Sequence, residues 1–209
     1  MIIIFSFMIA AYIFGSIPFG LLAGKIRGID IRTVGSKNIG ATNVYRTFGW
    51  KYGIPVFLLD AMKGFLPVYF LPLLMIGQES PHYNLLQVLT ALFSVLGHNF
   101  PVWLKFNGGK GVATSAGAML GILPTVTLLA FLTFIIVYGF TKYVSLGSIA
   151  AGIMLVILNF TLNKNAIRFE DDTCYASILC IVLCLLLLIR HRANIKRLIC
   201  KEENKTPFK

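Results

Sequence analysis

Long apolar blocks separated by short polar segments set the pattern of this chain. A helix needs ~20 apolar residues to cross ~30 Å of hydrocarbon. Blocks of that kind lie at Ile2–Gly24, Tyr52–Gly77, Leu85–Leu104, Leu123–Thr141, Val144–Leu162 and Cys174–Ile189. A shorter block, Val112–Ile122, would rise only about 16 Å as a helix, and Pro124 follows it. Alone it predicts a re-entrant or protein-buried segment. We count it as a seventh, short crossing.

Charge placement supports seven spans over six, because cytoplasmic loops collect Lys and Arg. With seven, one side receives sixteen of the nineteen Lys and Arg residues: those from Lys25 to Lys51, Lys105 and Lys110, Lys142, and those from Arg190 to Lys209. The other side has Lys164 and Arg168 beside Glu79, Glu170, Asp171 and Asp172, and Lys63 falls within a span. Six spans would mix the charges. The expected fold is an all-α integral membrane protein of seven transmembrane helices, with the N-terminus outside and the C-terminus cytoplasmic.

Composition agrees: the 209 residues are 57% hydrophobic, and the mean hydropathy is +0.80, far from a soluble domain. A net charge of +11 can signal nucleic acid, yet no reading module or groove-sized basic helix is visible. Anionic lipid headgroups account for the general basic excess. The first apolar block lacks a basic leader and a small-x-small cleavage site, so it reads as a retained helix. Cys174, Cys180 and Cys184 fall in the last span and Cys200 beyond it, a spacing that supports neither disulfide nor metal site. Carboxylates are too few and scattered for a metal. No cofactor is implied, and residues 1–209 read as one unit.

Unusual chemistry is confined to the expected cytoplasmic side. The run Gly35-Ser36-Lys37-Asn38-Ile39-Gly40-Ala41-Thr42-Asn43-Val44-Tyr45-Arg46 crowds glycines, hydroxyls and amides into a stretch able to form an anion-binding nest. Arg46 adds a planar fork for phosphate oxygens. The second stretch, Gly108-Gly109-Lys110-Gly111 before the apolar Val112–Ile122 block, brings an ammonium to a helix N-terminus. It is not a P-loop, since Gly111 stands where Ser or Thr is required. Third, His191 and Asn194 share a face with Leu198 where the last span leaves the bilayer. Ser145 and Ser148 mark a further junction, and small residues in Gly20-x-x-x-Gly24 and Gly117-x-x-x-Gly121 suit close helix approach. Asp60 and Lys63, costly to bury apart, are expected to pair with each other or with the loop as scaffold. His98, in an apolar setting, is expected to cap or bridge helices.

These segments resemble the bacterial acyl-phosphate:glycerol-3-phosphate acyltransferases, the PlsY family. The resemblance runs through Gly15-Ser16-Ile17-Pro18-Phe19-Gly20, the Gly35–Asn43 run, Asp60 with Lys63-Gly64, Gly97-His98 with Phe100-Pro101, Gly108–Thr114, and His191-Arg192 with Asn194-Ile195. It implies transfer of a fatty acyl group from acyl phosphate to the 1-hydroxyl of glycerol 3-phosphate, giving lysophosphatidic acid and phosphate. The site would face the cytoplasm of a bacterial inner membrane. Family roles fall on Ser36 and Arg46 for phosphate, Lys110, and His191 with Asn194 as substrate contacts. The family serine maps to Ser145 or Ser148. Gly35, Asn38, Gly40, Ala41, Thr42, Asn43, Gly108, Gly109 and Gly111 complete the expected binding set. The family's tail glycine is replaced by Lys201, followed by Glu202 and Glu203.

The His-x-x-x-x-Asp pair common in acyl-CoA-dependent acyltransferases is absent: Gln87, Trp103 and Lys196 stand five residues after His82, His98 and His191. Acyl phosphate is already activated, so direct attack without an acyl-enzyme is expected, with a substrate phosphate oxygen taking the hydroxyl proton; His191 as base is the rival. Expected partners are the two substrates, membrane lipids and the soluble enzyme that forms acyl phosphate. An organophosphate transporter is the alternative from another class; it is disfavoured because the polar clusters all lie at one face.

Overall fold

The computed structural model describes residues 2–163 and 173–206. Lys164, Arg168, Glu170, Asp171, Asp172 and Lys209, used in the charge count, lie outside the described residues. The chain divides into two compact units, the first ending at Gly121 and the second beginning at Ile122.

In the first unit the leading apolar block is not one rod. Helix α1 (Ile2–Gly15) stops before Pro18, and α2 (Phe19–Ile26) resumes after it, because proline lacks the N–H that would continue the ladder. A short amphipathic helix, α3 (Ala41–Phe48), precedes α4 (Trp50–Ile76). The latter continues through Pro55, Pro67 and Pro72, as helices surrounded by apolar neighbours can. Then come α5 (Tyr83–Asn99), a 3₁₀ turn (Val102–Leu104) and α6 (Val112–Ile122). Helix α5 packs against α1 and α4, and α3 against α4. Small residues allow this closeness: a side chain at Gly64 would strike the Thr114 carbonyl, and one at Gly117 the Ala61 carbonyl. The expected close approach at Gly117-x-x-x-Gly121 is therefore real. Gly20, by contrast, lies against the Ile39 carbonyl of the loop rather than against a second helix.

The second unit starts with the hairpin of α7 (Pro124–Thr141) and α8 (Val144–Leu162), turned at Lys142, whose φ is +62°. Helix α8 also packs on α9 (Thr173–Arg190), where Asn159 Nδ2 donates to Ser177 Oγ at 2.9 Å in a buried bond. At His191 the chain bends by 60° into α10 (Arg192–Ile199). The tail then returns, Thr206 N–H donating to Lys142 O at 2.9 Å and Tyr138 Oη to Thr206 O at 2.6 Å.

Among the described residues five stretches are long and apolar enough to cross a membrane, or six if the bent α9–α10 pair is one span; Val112–Ile122 is shorter. Large apolar side chains stand exposed along α4, α7 and α9, among them Leu58, Leu74, Leu128, Ile135 and Leu185. Such faces suit hydrocarbon rather than water. The protein is an all-helical, multi-span integral membrane protein.

Candidate active site

The first-unit loop owes its shape to Asn43. This side chain, 1% exposed, accepts the Ser36 N–H on Oδ1 at 2.9 Å. Its Nδ2 lies 3.0, 3.1 and 2.9 Å from the carbonyls of Ile31, Val34 and Asn38. Asn38 Oδ1 in turn accepts the Gly40 N–H at 2.9 Å. Both asparagines thus bind the loop's own backbone, a structural use that the sequence reading, which took them as substrate contacts, did not separate out. Gly35 is left-handed at φ +58°, and any side chain there would lie on Asn43 Oδ1. Lys37 is also left-handed, so the backbone curls sharply beside Ser36. From Gly40 the chain enters α3, where Asn43 N–H already donates to Gly40 O at 3.0 Å and the Ala41 and Thr42 amides precede the helix's own hydrogen-bond ladder. Arg46 lies in its last turn, half-buried.

The Lys110 loop is fastened to the end of α5. Gly109 N–H donates to His98 O at 3.1 Å and Gly108 N–H to Asn99 O at 3.2 Å. A side chain at Gly108 would strike His98 O, and one at Gly109 the His98 ring. These two glycines allow the loop to lie flat on α5, with their amides turned to protein carbonyls. Lys110 follows, half-buried, and Gly111 at φ +80° turns the chain into α6. Lys105 and Phe106 are left-handed as well, a strained path of the kind found at binding loops. Leu104 packs against the cluster of Leu21, Ile31, Ile39, Val44 and Val56. The nest and the approach to the Lys110 loop therefore rest on the same core.

Beneath the loop lies a buried charge network. Lys63 Nζ is 2.7 Å from Asp60 Oδ1, donates to Ile17 O at 2.8 Å, and stands 5.5 Å over the Phe19 ring. The expected pairing is present, with His98 Nδ1 3.6 Å from the same Asp60 oxygen. Sequence spacing suggested the i, i+3 pair but not the third member.

In the second unit Glu203 is a hub. Its Oε1 accepts from Asn194 Nδ2 at 2.6 Å and Ser145 Oγ at 2.8 Å, and its Oε2 accepts from Arg197 Nε at 2.7 Å. Burial pushes the carboxyl's pKa up, but the three donors outweigh it and hold the group below its ordinary value. Ser148 Oγ instead donates to Val144 O of its own helix at 2.8 Å. Of the two serines, Ser145 is the one grouped with Asn194. Glu203 reaches this place because Lys201 adopts φ +59°, with Glu202 N–H on Arg197 O at 2.7 Å and Lys201 N–H on Leu198 O at 3.2 Å. This is a Schellman cap, whose left-handed position favours glycine. The resemblance's tail glycine has that physical reason, and Lys201 adopts the conformation without it.

His191 sits at the bend, 2% exposed, its Nδ1 2.9 Å from Leu187 O. A carbonyl only accepts, so Nδ1 carries hydrogen. Among the described residues no three His, Cys, Asp or Glu side chains gather as metal ligands.

A family model described as glycerol-3-phosphate acyltransferase matches residues 5–201. The chain belongs to the glycerol-3-phosphate acyltransferase family. A family member from Bacillus subtilis (strain 168) is 44% identical over 202 residues, 96% of each chain. One from Fusobacterium nucleatum is 40% identical over 205 residues, 98% of each. Among solved structures, PlsY (YgiH), an integral membrane glycerol 3-phosphate acyltransferase, in its glycerol 3-phosphate form superposes with a TM-score of 0.87 at 39% identity, over 98% of this chain and 96% of that one. Its lysophosphatidic acid form gives 0.84 at 38% identity, over 98% and 95%. This acyltransferase therefore shares fold and length with its family.

Proposed function

We propose that the protein transfers a fatty acyl group from acyl phosphate to the 1-hydroxyl of glycerol 3-phosphate, releasing lysophosphatidic acid and phosphate. The carrying observation is the strained glycine loop that delivers Lys110 to the start of α6, in a chain aligned end to end with glycerol-3-phosphate acyltransferases. In this reading all seven apolar segments cross a bacterial inner membrane, Val112–Ile122 included. The N-terminus is outside and the catalytic groups face the cytoplasm, where a soluble enzyme supplies acyl phosphate.

Two phosphates of about −1.5 to −2 charge, held ~8 Å apart, repel by roughly 5 to 8 kcal/mol at an effective dielectric of 20. One cation would not offset that. Ser36, Arg46 and the backbone amides of Gly35, Ala41 and Thr42 are assigned to phosphate, with Asn38, Gly40 and Asn43 shaping their loop. Lys110 is assigned to phosphate charge in the transition state, with Gly108, Gly109 and Gly111 setting its loop. Within the second unit, Ser145, Asn194 and His191 are assigned to substrate, whereas Ser148 bonds its own helix.

Chemistry is then direct. The glycerol hydroxyl oxygen bonds to the acyl carbonyl carbon, the carbonyl–phosphate oxygen bond breaks, and the hydroxyl proton passes to a phosphate oxygen. No acyl-enzyme forms, and the protein aligns the reactants and stabilises developing negative charge. The test is lysophosphatidic acid formation by purified protein from palmitoyl phosphate and radiolabelled glycerol 3-phosphate, with palmitoyl-CoA as the parallel donor. Product from acyl phosphate alone is expected; product only from acyl-CoA overturns the donor assignment.

A further inference from the structure

Asp60, Lys63 and His98 are all at least nine-tenths buried, at 2%, 1% and 5% exposure, in segments where an ionisable side chain is expensive to keep. A scaffold of two opposite charges is self-sufficient: Lys63 Nζ satisfies Asp60 Oδ1 at 2.7 Å and Ile17 O at 2.8 Å. The imidazole adds nothing to that pair's neutrality. What it does add lies on its other edge. The ring Nε2 fills the space that a Gly109 side chain would occupy, while Gly109 N–H is bonded to the His98 carbonyl at 3.1 Å and Gly108 N–H to the Asn99 carbonyl at 3.2 Å. The loop backbone just before Lys110 lies against the Nε2 edge of one ring, and the opposite edge of that ring faces Asp60, whose Oδ1 is 3.6 Å from Nδ1, an electrostatic contact beyond hydrogen-bond length.

We propose that His98 is a positioning residue for acyl transfer: fixed by the Asp60–Lys63 pair, it sets the conformation of the Gly108–Gly111 loop and so the placement of Lys110. Nδ1 faces the carboxylate and Nε2 faces the loop, so the ring spans the distance between the buried charge pair and the loop backbone. Charge at Asp60 is thus coupled to the phosphate loop through one aromatic ring, with no substrate contact by either residue. The inference rests on the reading of Lys110 as a phosphate ligand.

The experiment compares His98→Phe, His98→Gln, Gly109→Ala and Lys110→Ala. Each is assayed for thermal midpoint, for the rise of that midpoint with glycerol 3-phosphate or inorganic phosphate as probe, and for kcat and KM. Phenylalanine retains ring bulk without nitrogen; glutamine restores a polar atom near the Nε2 position; the Gly109 methyl displaces the ring from the loop side. The expected result is a roughly tenfold or larger loss of kcat/KM and loss of the phosphate-induced shift for His98→Phe and Gly109→Ala, with an unliganded midpoint close to the parent for His98→Phe and lower for Gly109→Ala, whose methyl meets the buried ring. His98→Gln should remain within about threefold of the parent. If Lys110→Ala is inactive while both His98→Phe and Gly109→Ala keep parental kcat/KM and phosphate response, the positioning role is wrong and the Lys110 reading survives. Parental behaviour of Lys110→Ala would remove that reading itself. Should His98→Phe fail to fold, Gly109→Ala and His98→Gln decide: an active Gly109→Ala or an inactive, folded His98→Gln overturns the proposal.

Discussion

Replacing Glu203 by alanine should unfasten the second-unit cluster, and the hydrogen bonds set how strongly. The change removes the acceptor for Asn194 Nδ2, Ser145 Oγ and Arg197 Nε, now at 2.6, 2.8 and 2.7 Å. The Arg197 side chain is 36% exposed and can rehydrate, so its share is below about 1 kcal/mol. Asn194 and Ser145 are buried at 5% each and lose a charged partner, at about 1–3 kcal/mol apiece. The sum is about 2–7 kcal/mol, or on the order of 10 °C in unfolding midpoint for a chain of this size. Cys174 and Cys180 are buried while Cys200 is exposed, so the rise of a thiol-reactive dye signal in detergent above the Cys200 baseline reports the opening. The pH dependence has a defined sign. Because the folded carboxyl sits below its ordinary pKa, its contribution is complete above the ordinary carboxylate range and disappears as pH falls through the lowered folded value. The gap between parent and Glu203→Ala should therefore be widest at neutral pH and close on acidification. A midpoint within 2 °C of the parent at pH 7, or a gap that widens as pH drops, would refute the reasoning.

Further outcomes follow from individual residues. Lys201→Gly removes a left-handed non-glycine residue (φ +59°) and should raise the midpoint by about 2–4 °C, reflecting about 1 kcal/mol, with turnover unchanged. Gly35→Ala should lower kcat/KM for glycerol 3-phosphate by about tenfold or more by pushing Asn43 off the Ser36 amide. Gly28→Ala, equally left-handed at φ +69° but with open space around it, should alter stability alone. His191→Gln, assayed at saturating substrate across pH, should lose turnover without losing the shape of the pH profile if a substrate phosphate takes the proton; disappearance of a titrating limb would instead assign the base to His191.

Sequence alone carried the helical class, because blocks of ~20 apolar residues have no other stable form in hydrocarbon. It also singled out candidates for the chemistry, since Ser36, Arg46, Lys110, His191 and Asn194 stand in polar segments richer than lipid attraction demands. Tertiary structure separated residues of one apparent kind. Asn43 and Ser36 looked alike as loop donors until Asn43 was found turned to four backbone groups. Ser145 and Ser148 were indistinguishable until one met Glu203 and the other its own helix. His98 and Asp60 are thirty-eight positions apart, and no periodicity reports a meeting between two helices. Composition records what must be buried, whereas hydrogen-bond direction and helix-to-helix contact arise only when distant segments pack, and those decide which polar groups shape a loop and which remain for substrate.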